Sequence, residues 1–273
     1  MKKILGIISI LRPHNVLAAF LAVAVGYSMN GQPGFPWMLL LAVSAAAAAG
    51  NVINDYYDFE IDRINKPRRA IPSGLITPRR ALYLYFFLLA VLAGTFLILP
   101  AFQIIWLICW VVLLHLYSMI LKRKMMLGNI AVSVLTGSGF LLGAYSSGDI
   151  RTGIIPSIFT FFFIYGREIV KDCEDMDGDY MFGAETMAIV VGEEGAMKIA
   201  SVLFLLLAVA FPVPYLAGLY SRIYFIIIIF SIVPILLVSS VLAFRNRGAG
   251  LISMILKAGI FFGIIGFYYA VRV

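Results

Sequence analysis

Two short windows, Asp55 to Asp62 and Glu168 to Asp179, hold ten of the fourteen acidic residues in this chain. Asp55, Asp58 and Asp62 stand at spacings of three and four, and Asp172, Asp175 and Asp179 repeat the figure 117 residues later. At about 100° per residue, those steps gather three carboxylates within an arc of about 60° on a helix. Asn51 falls in the first arc one turn earlier, and the offset sets Asn51 against Glu168 and Asn54 against Lys171. A solvated helix face would scatter its acids and mix them with lysines. Two such ridges facing each other, rich in oxygen and free of His or Cys, form the environment of Mg²⁺ or Ca²⁺. The metal set read from this pattern is Asn51, Asn54, Asp55, Asp58, Asp62, Asp172, Asp175 and Asp179. Three like charges near lipid repel one another, so a cation is expected among them.

Basic residues lie beside the acids: Arg63, Lys66, Arg68 and Arg69 after the first ridge, Arg167 and Lys171 around the second, and Lys122 and Lys124 on a third loop. Metal-holding acids ringed by arginine and lysine suit a diphosphate. The expected diphosphate ligands are Arg63, Arg69, Lys122 and Lys171. Arg12, Arg68 and Lys124 add positive charge near these loops, and His14 and Asn15 are polar groups in the first apolar run. Tyr117 and the aromatics from Phe159 to Phe163 read most plainly as core packing. His115, alone in an apolar run, reads as a packed residue. Cys109 and Cys173 make neither a disulfide framework nor a zinc set. No Ser–His–Asp arrangement, glycine-rich nucleotide loop or metal-binding His pair is present.

The elements that must position these residues are membrane helices. Hydrophobic residues make up 62% of the chain and charged ones 13%, with a mean hydropathy of +1.00. Soluble proteins carry about a quarter charged residues. Spans are expected near residues 13–30, 37–56, 80–99, 101–121, 128–147, 153–173, 196–217, 221–244 and 251–271, each long enough to cross ~30 Å of hydrocarbon. The fold class is therefore all-α and polytopic: one integral-membrane domain of nine helices over residues 1–273 with two related four-helix parts. The first apolar run carries Arg12, Pro13, His14 and Asn15 in its middle and reads as a retained span rather than a leader. The small residues from Ser44 to Gly50 allow a neighbouring backbone to come close. Pro212 and Pro214 interrupt the seventh span.

The net charge of +7 would suggest nucleic acid in a soluble protein, but here the cations lie between spans. With nine spans, Lys2, Lys3, Arg12, the group from Arg63 to Arg80, Lys122 to Lys124, Arg167, Lys171, Lys198, Arg245, Arg247 and Lys257 share one side, and only Arg151, Arg222 and Arg272 lie on the other. The positive-inside rule places the amino terminus and both acidic ridges at the cytoplasmic face of a cell membrane.

Asn54-Asp55-x-x-Asp58-x-x-x-Asp62, continuing Asn65-x-Pro67-x-Arg69-x-x-Pro72-Ser73-Gly74, resembles the first signature of the UbiA superfamily of intramembrane prenyltransferases. Asp172-x-x-Asp175-x-x-x-Asp179, preceded by Arg167-Glu168 and Lys171, resembles the second, and Tyr117-Ser118 followed by Lys122 resembles the loop between the fourth and fifth spans. The similarity extends over essentially the whole chain; Ala70 departs from it, where many members have proline. The resemblance implies a Mg²⁺-dependent enzyme that moves a prenyl group from its diphosphate to a lipid-like acceptor, with Asp55, Asp58, Asp62, Asp172, Asp175 and Asp179 as its catalytic acids. The short chain, the Arg12-Pro13-His14-Asn15 opening and the wording of both motifs are most like the archaeal lipid-forming branch. That branch implies geranylgeranyl transfer to the free hydroxyl of geranylgeranylglyceryl phosphate, making the second ether of archaeal membrane lipids. It makes Arg12, Arg68 or Lys124 candidates for the acceptor phosphate, His14 and Asn15 for orienting its hydroxyl, and Tyr117 and Phe159 to Phe163 for bordering the allylic cation through their ring faces. The alternative within the family is an aromatic acceptor such as 4-hydroxybenzoate, a quinone precursor or a chlorophyllide-like molecule. A cation or metabolite transporter is the alternative of another class, although transporter repeats are often inverted and hold their acids near the midplane. A non-catalytic lipid-binding or scaffold protein leaves two acid triplets unexplained.

Overall fold

In a computed structural model, residues 2–271 are described, with side chains from Ile4 onward; Arg272 and the side chains of Lys2 and Lys3, counted in the charge pattern, lie outside the described residues. Regular structure among the described residues is helical, apart from one isolated bridge between Lys124 and Glu185. In chain order the helices are α1 (Lys2–Leu11), α2 (Pro13–Ser28), α3 (Trp37–Tyr57), α4 (Phe59–Asn65), α5 (Pro78–Thr95), α6 (Ala101–Met119), α7 (Leu127–Ser146), α8 (Ile154–Glu174), α9 (Met176–Met181), α10 (Met187–Val191), α11 (Glu193–Ala210), α12 (Val213–Leu216), α13 (Arg222–Ile227), α14 (Val233–Phe244) and α15 (Ala249–Tyr268).

Seven helical stretches are long and apolar enough to cross a membrane, or eight if α1 and α2, bent by 44° at Arg12, make one span. The expected third span corresponds to α5, an 18-residue helix whose opening Pro78-Arg79-Arg80 lowers its mean hydropathy and leaves it outside that count. Pro212 interrupts the expected seventh span between α11 and α12, as proline's missing N–H requires, yet Glu193–Leu216 continues as one stretch. A π-helical turn, Ile228–Ile232, joins α13 to α14.

The offset seen between the acid triplets also sets the helices that carry them. α3 and α8 are both 21 residues long, and each bound of α8 lies 117 residues after its counterpart in α3. α4 and α9 then follow, both starting one residue after an aspartate.

α3 packs between α2, α5 and α6, while α8 packs on α7, α11 and α15. The small-residue run of α3 is buried, with Ala45, Ala46, Ala49 and Gly50 turned inward. α2 and α7 approach so closely that a methyl group at Gly143 would stand 2.1 Å from the Val23 carbonyl oxygen. Close backbone approach through small residues is how membrane helices gain packing without a hydrophobic driving force between them. Phe140, Phe163, Phe204, Phe211, Tyr224 and Phe267 fill the larger core on the α8–α15 side. This packing brings the carboxyl ends of α3 and α8 to the same end of the bundle.

Candidate active site

α3 and α8 both stop where the ridge of acids turns a corner. The Asp58 N–H closes on the Asn54 carbonyl at 2.9 Å, and the Asp175 N–H on the Lys171 carbonyl at 2.9 Å. Helical hydrogen bonding resumes beyond each aspartate, from Asp62 N–H to the Asp58 carbonyl at 2.7 Å and from Asp179 N–H to the Asp175 carbonyl at 3.2 Å. The two short helices that carry the last acids pack on each other. Asn65 ties them together: its amide nitrogen donates to the Asp175 carbonyl at 2.8 Å, and its amide oxygen accepts from the Gly178 N–H at 2.9 Å. A Cβ at Gly178 would stand 2.6 Å from the Asn65 amide, so this approach requires glycine.

The two corners border a polar cavity, partly open to the outside, of about 610 Å³. Asp58, Asp62, Asp172, Asp175 and Asp179 line it, together with Glu168, Asn54, Asn65, Asn129 and Tyr117. Arg69, Lys122, Arg123 and Lys171 line it as well. Six acids and four cations line it, and Lys66 and Arg167 pair with Asp175 and Glu168 from outside the lining.

The cation expected among the first three acids is Arg69. Its guanidinium lies 2.5 Å from Asp62, 3.5 Å from Asp55 and 4.0 Å from Asp58. Arg12 pairs with Asp55, and Lys122 with Asp58. Asp55 and Asp62 are buried, at 2% and 3% exposure. Arg12 sits at the bend between α1 and α2 with φ 47°, a left-handed backbone unusual for a non-glycine residue. The second ridge is neutralised differently: Lys66 pairs with Asp175, Asp172 accepts from the neutral Asn129 amide at 2.9 Å, and Lys171 turns to Glu168 at 2.9 Å.

Burial pushes the Asp62 carboxyl up to about 6 despite the pull of Arg69. Asp179 rises to about 6 through burial and the neighbouring charge of Asp175. Burial also lowers Lys66 and Lys122, each opposed by its aspartate partner.

Among the described residues, no three acidic, histidine or cysteine side chains converge on one point. Arg69, Lys122 and Lys66 pair with Asp62, Asp58 and Asp175. The donors nonetheless fit Mg²⁺. Every candidate ligand is an oxygen, both ridges open on one cavity, and Mg²⁺ commonly uses one or two carboxylates with waters and substrate phosphates completing its shell.

Several expected ligands lie elsewhere. Arg63 is exposed, bonded to Glu60 at 3.2 Å and stacked over Phe59, so it leaves the diphosphate set. Arg68 is exposed, and Lys124 reaches Glu185 at 2.7 Å on the surface. Asn51 lies outside the cavity lining, donating to the Leu11 carbonyl at 2.9 Å and accepting from Asn15 at 3.2 Å. Asp55 is likewise absent from the lining, behind Arg69. His14 is exposed near the start of α2, and His115 is satisfied between the Tyr57 and Tyr85 hydroxyls at 3.2 and 3.4 Å. Of the aromatics on α8, Phe159 stacks on Phe211, Phe161 on Tyr165, and Phe162 faces outward. Cys109 and Cys173 are free.

Four polar lining residues were missed as candidates: Asn65, Arg123, Asn129 and Glu168. Asn129 carried a signal, as an amide opening an otherwise apolar helix. Arg123, whose Nε is buried without a hydrogen-bond partner, read only as a loop charge.

Below the polar cavity lies an apolar one of about 440 Å³ between α2, α7, α8 and α15, lined by Ala18, Ala22, Thr160, Phe163, Ile260 and Ile264 among others.

The profile of the UbiA prenyltransferase family matches residues 15–268. A digeranylgeranylglyceryl phosphate synthase from Methanosphaera stadtmanae is 37% identical over 271 residues, covering 95% of this chain and 97% of that one. A solved structure of a digeranylgeranylglyceryl phosphate synthase superposes over 100% of both chains with a TM-score of 0.74 at 29% identity. A UbiA homologue from Archaeoglobus fulgidus, solved with GPP and Mg²⁺, shares the fold with a TM-score of 0.68 at 19% identity, covering 98% of this chain and 100% of that one.

Proposed function

The chain belongs to the UbiA prenyltransferase family, and from that premise we propose that it transfers a geranylgeranyl group from geranylgeranyl diphosphate to the free hydroxyl of geranylgeranylglyceryl phosphate. One observation carries the reaction type: acids from two separate helix ends line a single cavity with Arg69, Lys122 and Lys171. The acceptor rests on the likeness to digeranylgeranylglyceryl phosphate synthases along nearly the whole chain.

In this reading Asn54, Asp58, Asp62, Asp172, Asp175 and Asp179 hold Mg²⁺, with Asp55 set behind them as the buried partner of Arg12 and Arg69. Bound Mg²⁺ would supply positive charge to the diphosphate oxygens as the allylic C–O bond breaks. Arg69, Lys122, Lys171 and Arg123 take up the remaining negative charge of the leaving group. Lys122 and Arg69 are shared with Asp58 and Asp62 before substrate arrives, so they need only turn a short way from carboxylate to phosphate. Such preorganised charge stabilises a transition state at little reorganisation cost. Tyr117, which lines the cavity, offers its ring face to the allylic cation. The acceptor hydroxyl then attacks C1, forming the ether, and its proton passes to the released diphosphate or to water.

We count α5 as a ninth span, because a helix of its length packed along α3 can keep Arg79 and Arg80 at the interface. On that count the helices form one domain of two related four-helix parts with α15 added. The basic residues around both ridges orient the polar cavity toward the cytoplasm.

The test is an acceptor panel with labelled geranylgeranyl diphosphate, read by mass spectrometry. The diether phospholipid is the expected product. Prenylation of 4-hydroxybenzoate with none of the glycerophosphate lipid would instead assign the chain to the aromatic-acceptor branch. Uptake by proteoliposomes without any prenylated product would favour a transporter.

A further inference from the structure

Outside the polar cavity, three cations and a histidine gather at one end of the apolar one. α8 and α15 run antiparallel: a Cβ at Gly259 would meet the Phe163 ring at 2.8 Å, and one at Gly250 would meet Glu174 at 4.0 Å. That register sets Lys257 opposite the turn of α8 that bears Arg167. On α8, Arg167 is one turn from Phe163 and Ile164. On α15, Lys257 is one turn from Ile260, and on α2, His14 is one turn from Ala18. All four of those apolar residues line the 440 Å³ cavity. The charges of Arg12, Arg167 and Lys257 all bear on His14, and those of Arg167, Lys171, Arg12 and Glu174 on Lys257.

Of the nearby acids, Glu174 makes no ion pair within 4 Å among the described residues and its charge bears on Lys257; the others are committed elsewhere. Glu168 is shared between Arg167 and Lys171, and Asp55 between Arg12 and Arg69. The Arg167 Nε is buried with no hydrogen-bond partner. Lys257, eight residues into a membrane-spanning helix, makes no ion pair within 4 Å among the described residues. Cations placed this way near hydrocarbon are costly and mark a site for an anion. None of Arg12, His14, Arg167 and Lys257 lines the diphosphate cavity, so this is a separate place. An anionic rim ligand with apolar space beneath it describes an amphiphile rather than a free ion.

We propose that Arg167 and Lys257, with His14 and Arg12 beside them, bind the phosphomonoester head of the isoprenoid glycerolipid acceptor. The assignment rests on the reaction proposed above. It explains how two anionic substrates are told apart: Glu168 stands between the two positions, holding Lys171 on the diphosphate side and Arg167 on the acceptor side. It also makes the phosphate, rather than the chain, the main determinant of acceptor choice.

The experiment uses the full chain in lipid nanodiscs. Equilibrium binding of geranylgeranylglyceryl phosphate without metal is measured alongside steady-state transfer to that lipid and to its dephosphorylated alcohol. Lys257→Gln and Arg167→Gln are expected to raise Kd and KM for the phospholipid about tenfold or more, as loss of a charge-assisted contact does. KM for geranylgeranyl diphosphate should stay within about twofold. The preference for phospholipid over alcohol should collapse, and Lys257→Arg should restore it. Unchanged phospholipid binding in both variants, with the wild type active on that lipid, would overturn this site and leave the reaction standing. Equal rises in both KM values would also overturn it, because a merely structural residue acts that way. A wild-type protein that neither binds nor prenylates the phospholipid would overturn the site and the reaction together.

Discussion

The two acid-bearing corners share spacing, helix length and the position of the break, yet they are neutralised in opposite ways. At the first, Arg69 reaches all three aspartates and is joined by Arg12 and Lys122. At the second, Lys66 from the opposite corner pairs with Asp175, an uncharged amide holds Asp172, and Asp179 makes no ion pair within 4 Å among the described residues. The two corners therefore differ in charge. Arg69 and Lys66 both come from the chain that follows the first corner, whereas Lys171 beside the second is turned to Glu168. Under the proposed function, acids of both corners hold metal and the cations take up the charge of the leaving diphosphate.

The harshest test removes one acid from each corner. Asp58→Ala and Asp175→Ala should each lower transfer about a thousandfold, equivalent to about 4 kcal/mol of transition-state stabilisation, in protein that still elutes as a folded species. Near wild-type turnover in either variant at saturating Mg²⁺ would break the symmetry of the proposal. Next comes the cation that distinguishes the corners. Arg69→Met leaves buried Asp55 and Asp62 short of a partner and should cost about 3 kcal/mol of stability. Lys66→Met, at a more open corner, should cost about 1 kcal/mol, and thermal unfolding in detergent would expose the difference.

Protons should compete with metal at both corners. Asp62 and Asp179 have carboxyls raised to about 6, so they are ionised above that pH and protonated below it. Mg²⁺ affinity should therefore fall as the pH drops from 7 to 5, by roughly tenfold for each group that ligates the ion. A pH-independent Mg²⁺ titration of activity would remove both from the ligand set. The smallest effects belong to the exposed loop charges. Arg63→Ala and Lys124→Ala should leave transfer within about twofold, as surface ion pairs contribute little.

The apolar periodicity made most helices legible. The expected span at 37–56 became Trp37–Tyr57, and 153–173 became Ile154–Glu174. The bend at Arg12 was hidden because apolar character continues through it. The acids were legible as well, since their spacing is a helical signal that survives the corner at Asp58 and Asp175. The loop cations were not. A loop has no period, so nothing in the order Arg63, Lys66, Arg68, Arg69 says which turn inward; only the fold selects Lys66 and Arg69. Asn65 was read as part of a motif, and its work as a clamp needed the packing of α4 on α9. Arg167 and Lys257 are ninety residues apart in sequence, and only the antiparallel register of α8 and α15 brings them together.

The most direct measurement is anomalous diffraction from crystals soaked with Mn²⁺ and a non-hydrolysable geranylgeranyl diphosphate analogue. Manganese peaks bridging the diphosphate to an oxygen from Asp58 or Asp62 on one side and from Asp172, Asp175 or Asp179 on the other are the expected result. Metal and diphosphate seated at one corner alone, with the other still locked in its own ion pairs, would contradict a shared site.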